Sequence, residues 1–382
     1  MKILARRYDN SEAIALTVDG DRIARIEPAA AADNLPWIAP GFVDLQVNGF
    51  GGKDFASAAL TVDHVREISL AMDQFGCVQY CPTVTTQSYD VIAHGLSVIA
   101  AACDKIAAVA DRVAGIHLEG PYISREDGPR GAHPLAHVRP PDWEEFCRWQ
   151  DAAGGRIRIV TLSPEYDAAC QFIRQATAAG VTVAIGHTAA DSRQMEAAVD
   201  AGARFSTHLG NGSHPVICRH PNYIWDQLAD DRLWASLIVD GHHLPPAVVK
   251  SFVRAKGPER IVLVSDITGM AGMPPGEYRG TSLGDVDVLE DGKLVVGGQR
   301  QLLAGASRPI GVGVANVMHF AGVDLKTAVD MASARPLELL GLPSAALRPG
   351  APANLACIEL AADSGAFRTV KTIVRGEVVY ES

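Results

Sequence analysis

VAGIHLEGPYIS, at residues 113–124, is the stretch that decides the fold. Its first residues are apolar and predict a buried strand, which ends where glycine and proline follow at Gly120-Pro121. Glu119 stands at that end of the strand. A carboxylate there is costly to bury unless it is paired, and a metal ion is one such partner. In a barrel of parallel strands this end carries the active site. Considered alone, Glu119 is equally consistent with a solvated turn.

The chain on either side of this stretch alternates strand-like runs with alanine-rich helical runs, which is typical of a parallel sheet with crossover helices. Eight such units fit a closed (β/α)8 barrel. The predicted strands are Phe42–Val47, Cys77–Thr83, Val113–Leu118, Ile157–Leu162, Thr182–Gly186, Arg204–Thr207, Trp234–Val239 and Ile261–Ser265. After the eighth strand, residues 277–298 have the pattern of an inserted hairpin that turns at Asp291-Gly292.

The two ends of the chain have a different pattern, with short strand-like pieces separated by turns. Asp19-Gly20-Asp21 is a hairpin signal near the start, and Arg375-Gly376-Glu377 is another near the end. We therefore predict an α/β protein with a TIM-like (β/α)8 barrel at residues 39–345. Residues 1–38 and 346–382 are predicted to form one small β-sandwich domain built from both termini.

Polar side chains follow several predicted strands at the point where each strand ends. They are Gln46 and Asn48 after strand one, Glu119 after strand three, His187 after strand five, His208 after strand six, Asp240, His242 and His243 after strand seven, and Asp266 after strand eight. A single histidine after a strand is more often an ordinary loop residue. In a barrel, however, all these ends converge on one mouth.

This convergence predicts a metal site. Glu119, His187 and His208 offer one carboxylate and two imidazoles, a set that leaves open positions and suits Zn²⁺ or another borderline divalent metal. Asp266 would then face the attacking water, where a carboxylate can act as general base.

The composition excludes some classes of function. The formal net charge is −10 and no basic stripe is present, which argues against a nucleic-acid partner. No apolar run of about 20 residues and no signal-peptide core occur, so no membrane partner is expected. The seven cysteines form no CxxC pair and suit a reducing compartment. We expect a soluble, cytoplasmic protein.

Together these motifs resemble the amidohydrolase superfamily, and within it the family of N-acetylglucosamine-6-phosphate deacetylases. The most specific part of the resemblance is HLEGP at 117–121 followed by GAHP at 131–134. The similarity covers nearly the whole chain; its other segments are APGFVD at 39–44, GHT at 186–188, THL at 207–209, DGHH at 240–243, VSD at 264–266, LAG at 303–305 and PGAPAN at 349–354.

The resemblance implies the function and the roles of the site residues. It implies metal-dependent hydrolysis of the N-acetyl group of N-acetylglucosamine 6-phosphate by a homodimer with one divalent ion per subunit, zinc first, with iron, cobalt or manganese as alternatives. By the same resemblance, the metal ligands are Glu119, His187 and His208; the catalytic residues are Asp266 and His133; and the substrate-binding residues are His133, Asn211, Gly212, Arg219, His243 and Ala304. His133 would hold the acetyl carbonyl oxygen, and Arg219 would reach the sugar phosphate across the homodimer.

Two departures from the family pattern leave alternatives open. Gln46-Val47-Asn48 stands where many amidohydrolases have His-x-His, so we predict one metal ion rather than two. Residues 211–215 read NGSHP where the family has Asn-Ala-Met-Pro, so the sugar is less well specified than the chemistry. The second departure leaves open deacetylation of N-acetylgalactosamine 6-phosphate or another N-acyl amino sugar. A cyclic amidase or deaminase is a second alternative, although those enzymes usually need the imidazoles that the first departure removes. A non-catalytic sugar-phosphate binder is the third, although such a protein would be expected to lose Asp266 or a metal ligand.

Overall fold

The computed structural model describes residues 1–32, 34–281, 283–298, 303–360 and 367–382. At its centre, eight strands pair in parallel in chain order. Barrel strands one to eight are Phe42–Val47, Cys77–Thr85, Ile116–Glu119, Ile157–Leu162, Thr182–Ile185, Phe205–Ser206, Trp234–Ile238 and Ile261–Val264. The sheet returns on itself, since the Asp266 N–H donates to the Gln46 carbonyl at 2.9 Å and Val47 bridges Ile267. The predicted (β/α)8 barrel is confirmed.

Barrel strand three begins later than predicted. Val113 makes only an isolated bridge to Tyr80, and continuous pairing starts at Ile116. Every residue of Ile116–Glu119 is buried. Glu119 is the last residue of the strand, which places its buried carboxylate at the mouth of the barrel.

Helices surround the barrel, and their termini use the capping residues that sequence patterns favour. Asp191 begins one helix with a capping box, in which its side chain and that of Gln194 satisfy each other's backbone N–H groups. The helices are Val62–Ala71, Tyr89–Lys105, Ala107–Ala110, Trp143–Ala152, Ala169–Ala178, Ser192–Ala201, Tyr223–Ala229, Pro246–Lys256, Ile310–Ala321, Leu325–Met331 and Ala334–Leu339, with 3₁₀ turns at Met72–Phe75, Leu135–His137 and Pro258–Arg260. None of the described helices is long and apolar enough to cross a membrane.

Both termini contribute to one seven-stranded sheet, which confirms that they form one small β unit. In spatial order its strands are Glu377–Glu381, Phe367–Val374, Leu355–Leu360, Trp37–Pro40, Lys2–Arg7, Ala13–Asp19 and Arg22–Pro28. Trp37–Pro40, which was not predicted as a strand, joins the halves: it is parallel to Lys2–Arg7 and antiparallel to Leu355–Leu360. The predicted domain limits stay predictions.

A buried ion pair anchors this sheet to the amino-terminal end of the barrel. Asp73 precedes barrel strand two, and Arg112 precedes barrel strand three. Two guanidinium nitrogens of Arg112 donate to the two carboxylate oxygens of Asp73 at 2.7 and 2.9 Å. The Thr372 hydroxyl, from the terminal sheet, donates to the Asp73 carbonyl at 2.6 Å. The buried side chains of Asp73, Arg112 and Thr372 therefore all have hydrogen-bond partners at this end.

The opposite end carries the predicted insertion. Three antiparallel strands, Gly276–Thr281, Gly284–Val288 and Leu294–Val296, form a small sheet there, and the turn falls at Asp291-Gly292 as predicted. A second pair of short strands, Gly49–Phe50 and Lys53–Asp54, follows barrel strand one. These insertions surround the mouth of the barrel on the side where the strands end.

Candidate active site at the barrel mouth

Three predicted ligand side chains meet at the mouth. The Nε2 atoms of His187 and His208 lie 3.1 Å apart, and Glu119 Oε1 lies 3.3 and 2.9 Å from them. All three residues are buried. Burial opposes ionisation of Glu119, but the hydrogen bonds to the two histidines prevail and hold its pKa well below the usual value. Burial alone would lower the pKa of His208, but its hydrogen bond to Glu119 and the charges of Glu119 and Asp266 together raise it.

The position of His187 is determined by contacts on several sides of its ring. Its Nδ1 lies 2.8 Å from the Pro129 carbonyl, which can only accept, so this nitrogen carries a proton and Nε2 is the ring nitrogen that could bind a metal. Two glycines pack against the ring: a Cβ at Gly131 would lie 3.3 Å from Cε1, and one at Gly212 would lie 2.6 Å from Nδ1. The ring therefore presents Nε2 to Glu119 and His208.

This donor set fits a divalent cation. Two imidazole nitrogens and a carboxylate oxygen within 3.3 Å of one another form the Glu-His-His set that borderline divalent metals accept. His133 also has a possible ligand atom within 4.8 Å of Glu119 and His187. Gln46, which replaces a histidine at the end of barrel strand one, donates from Nε2 to Glu119 Oε1 at 2.9 Å. Gln46 therefore contributes an amide, not an imidazole, beside the carboxylate of Glu119.

Asp266 follows barrel strand eight and lies beside this cluster. Asn48 Nδ2 donates to its Oδ1 at 2.7 Å, which leaves Oδ2 for other partners. Burial, and then the charge of Glu119, raise the pKa of Asp266 to about 6.

The backbone is strained at three of these residues. His187, His208 and Asp266 have φ values of 50°, 30° and 54°, in the left-handed region that non-glycine residues rarely adopt. Such conformations cost on the order of 1–3 kcal/mol each and persist where the surroundings impose them. The three site residues share this conformation with only Ser11 and Arg375 among the non-glycine residues of the described chain.

His133 comes from the loop after barrel strand three and packs edge-on against His187, with ring centroids 4.4 Å apart. Its Nδ1 lies 2.8 Å from Thr86 Oγ1. Burial, and then the electrostatic effect of the neighbouring His187, lower the pKa of His133 to about 3. The ring is therefore neutral near pH 7, and one of its nitrogens can donate a hydrogen bond.

A cavity of about 360 Å³ opens above the cluster. Asn211, Gly212 and His243, which were predicted to bind substrate, line it together with Asp266 and His133. The Asp240 carboxylate orients His243 by accepting from Nδ1 at 2.8 Å. Burial opposes the charge on Asp240, yet the hydrogen bond and charge of His243, together with the backbone N–H groups of His242 and His243, lower its pKa to about 2.

Two predicted substrate residues lie elsewhere. Arg219 is exposed to solvent and does not line the cavity of its own subunit. Ala304 is fully buried, and its N–H donates to the Leu294 carbonyl at 3.1 Å. Its neighbours Leu303 and Gly305 line the cavity instead.

Comparison with known proteins agrees with this geometry. The model of the amidohydrolase family matches residues 37–379. The chain belongs to the amidohydrolase family. Human N-acetylglucosamine-6-phosphate deacetylase is 34% identical over 90% of this amidohydrolase and 84% of the human protein. N-acetylgalactosamine-6-phosphate deacetylase of Escherichia coli O157:H7 is 33% identical over 88% of each chain. The crystal structure of N-acetyl-D-glucosamine-6-phosphate deacetylase from Mycobacterium smegmatis matches all of both chains at 31% identity with a TM-score of 0.88.

The predicted family and enzyme class are confirmed: this amidohydrolase is a metal-dependent carbon–nitrogen hydrolase of the deacetylase type. The sequence reasoning missed some residues of the mouth. Thr86 lines the cavity and contacts His133, and Asp54 accepts from the Gly269 N–H at 3.0 Å at the cavity wall. A signal for Thr86 was available, since it follows the end of barrel strand two. Threonine is common in strands, however, and does not suggest chemistry by itself.

Proposed function

We propose that this amidohydrolase removes the acetyl group of N-acetylglucosamine 6-phosphate and releases glucosamine 6-phosphate and acetate. The observation that carries the proposal is the convergence of Glu119, His187 and His208 at one barrel mouth, with Asp266 beside them. The human and Mycobacterium smegmatis relatives, named for this substrate, support the choice of sugar.

Glu119, His187 and His208 would hold one divalent metal ion, and zinc is the first candidate, ahead of iron, cobalt and manganese. When bound, the ion supplies Lewis-acid activation of both the amide carbonyl and the attacking water. Gln46 would fix the carboxylate of Glu119, because it donates to the same oxygen that faces the two histidines.

Asp266 would be the general base and then the general acid. One carboxylate oxygen is held by Asn48, so the other can accept the proton of the water as the new carbon–oxygen bond forms. The same carboxyl would return that proton to the amide nitrogen as the carbon–nitrogen bond breaks. The products are then the free amine of the sugar and acetate.

His133 would stabilise the acetyl carbonyl oxygen as negative charge develops there. The ring is neutral and buried at the cavity wall, and a fixed N–H donor in such a site is worth far more than one in water. His243, Asn211 and Gly212 would hold the sugar phosphate at the other side of the cavity.

Arg219 supports the proposal of a homodimer. It is exposed and lies outside its own cavity, so a second subunit would have to bring it to a phosphate. The same segment exposes large apolar side chains, Val216 at 86%, Ile217 at 37% and Trp225 at 54%. Clustered exposed apolar side chains are typical of protein–protein contact surfaces.

A cytoplasmic location is also proposed, supported by seven free cysteines.

The test is a steady-state assay of acetate release from N-acetylglucosamine 6-phosphate and from N-acetylgalactosamine 6-phosphate, coupled to metal analysis of the same preparation. We expect higher kcat/KM for the gluco-epimer and about one metal ion per subunit. The Escherichia coli relative makes the galacto-epimer the second candidate. Equal or absent activity on the gluco-epimer would reject the first choice of sugar, and full activity after chelation would reject the metal site.

A further inference from the structure

Thr86 directly follows the end of barrel strand two. Its side chain is buried, lines the active-site cavity and places Oγ1 2.8 Å from Nδ1 of His133. Gly120, the residue after barrel strand three, makes room for this hydroxyl: a Cβ at Gly120 would lie 2.2 Å from Thr86 Oγ1, and glycine has none.

We propose that Thr86 is a positioning residue that sets the tautomer of His133, so that Nε2–H faces the acetyl carbonyl oxygen of the substrate. The proposal rests on the proposed function of the site. A neutral imidazole has one N–H and one lone pair, and the hydrogen bond at one nitrogen decides the state of the other. If the Thr86 hydroxyl donates to Nδ1, the proton of the ring must be on Nε2.

The alternative arrangement uses the hydroxyl proton elsewhere. In that arrangement Thr86 Oγ1 donates to the backbone carbonyl of Glu119 and accepts from Nδ1–H of His133. Nε2 of His133 would then carry a lone pair, which would repel the acetyl carbonyl oxygen of the substrate. That carbonyl is 3.5 Å from Oγ1, against 2.8 Å for Nδ1. A hydroxyl has one proton, and a 3.5 Å contact is at the outer limit for a hydrogen bond. The geometry therefore favours donation to His133.

The remaining nitrogen of His133 is available for substrate. Nε2 has no hydrogen-bond partner among the residues that the structure describes, and the ring lines the cavity. The edge-on contact with His187 restrains the plane of the ring, whereas Thr86 alone restrains which nitrogen carries the proton. Thr86 thus acts on the reaction through His133 and does not itself touch the reacting atoms.

The experiment compares Thr86→Val, which keeps the shape and removes the hydroxyl, with Thr86→Ser, which keeps the hydroxyl. Thr86→Val should lower kcat about 10- to 100-fold with KM nearly unchanged, less than the ~10²–10³-fold lost when an oxyanion donor is removed outright. Thr86→Ser should stay within about threefold of wild type, because its O–H can still donate. In a His133→Gln background, Thr86→Val should have no further effect on kcat.

A direct readout comes from ¹H–¹⁵N correlations of the histidine rings in the zinc-loaded wild-type protein, with His133 assigned from the His133→Gln variant. We expect a protonated Nε2 on His133 and, in Thr86→Val, loss of that single tautomer. A wild-type ring protonated at Nδ1, unchanged kcat in Thr86→Val, or additive effects with His133→Gln would overturn the proposal. If the wild-type protein deacetylated no amino-sugar phosphate, the proposed function would fail, while the tautomer measurement would still decide the role of Thr86.

Discussion

The two ends of the barrel use buried polar groups in opposite ways. At the amino-terminal end, Asp73 and Arg112 satisfy each other with two hydrogen bonds, and Thr372 adds a third contact from the terminal sheet. At the carboxyl-terminal end, His187 and His208 present nitrogens to one carboxylate oxygen on strained backbone. The amino-terminal end is arranged for stability, and the carboxyl-terminal end is arranged to bind a ligand.

Replacing Asp266 by asparagine should have the largest effect on the mouth. The amide cannot carry the proton from water to the leaving amine, so kcat should fall about 10²- to 10⁴-fold while metal content stays near wild type. Acetate release and metal analysis measure the two quantities. Asp63→Asn, on an exposed helix face, is the matched control and should leave kcat unchanged. Near-normal turnover in Asp266→Asn would remove this residue from its role.

At the opposite end, Arg112→Met should lower the free energy of unfolding by about 3–5 kcal/mol, because it leaves the Asp73 carboxylate buried without its partner. The kcat of the folded protein should not change. Denaturant unfolding and steady-state kinetics measure the two effects. Arg232→Met removes exposed ion pairs and should change stability by less than about 1 kcal/mol. A large loss of kcat in folded Arg112→Met would contradict the assignment of this end of the barrel to stability alone.

Gly212→Ala tests how tightly the metal ligands are held. The added Cβ would lie 2.6 Å from His187 Nδ1, so the ring must move, and metal affinity should fall about 10- to 100-fold. Gly180→Ala is the matched control: its φ is +79°, and no atom lies within 4 Å of its Cβ position. Competition with a chromogenic chelator measures the affinity. Equal losses of metal affinity in both variants would mean that backbone strain, and not displacement of the His187 ring, causes the effect.

The smallest effect is expected at His214, the residue in the unusual segment 211–215. Its Nε2 lies 2.9 Å from Glu126 Oε2 and connects the loop of Asn211 to the loop of His133. His214→Phe should raise KM about two- to fivefold, as fits a partly exposed pair. Arg368→Leu removes an exposed pair in the terminal sheet and should leave KM unchanged. No change in KM for His214→Phe would mean that the two loops are positioned independently.

The sequence predicted the barrel well because its strands are continuous apolar runs with turn signals at both ends. Barrel strands one and four have the predicted bounds, and the enzyme class followed from the HLEGP and GAHP motifs. Trp37–Pro40 was missed because its pairing partners lie more than 300 residues away on one side. Local pattern does not encode such pairing.

The finer features of the mouth could not be predicted for a related reason. The positive φ values of His187, His208 and Asp266 are imposed by surroundings that come from distant strands. The pairing of Gln46 with Glu119 joins residues 73 positions apart. The sequence could identify which residues reach the mouth, but only three-dimensional packing decides how each nitrogen and oxygen is directed.

The left-handed backbone at His187, His208 and Asp266 has a consequence for protein engineering. A search for stabilising substitutions would be drawn to these three positions, since glycine relieves the local conformation there by roughly 1 kcal/mol or more. Each such gain in thermal resistance would delete a functional group from the mouth. Engineering for thermal stability should therefore begin at the amino-terminal end of the barrel, where denser packing would remove no functional group.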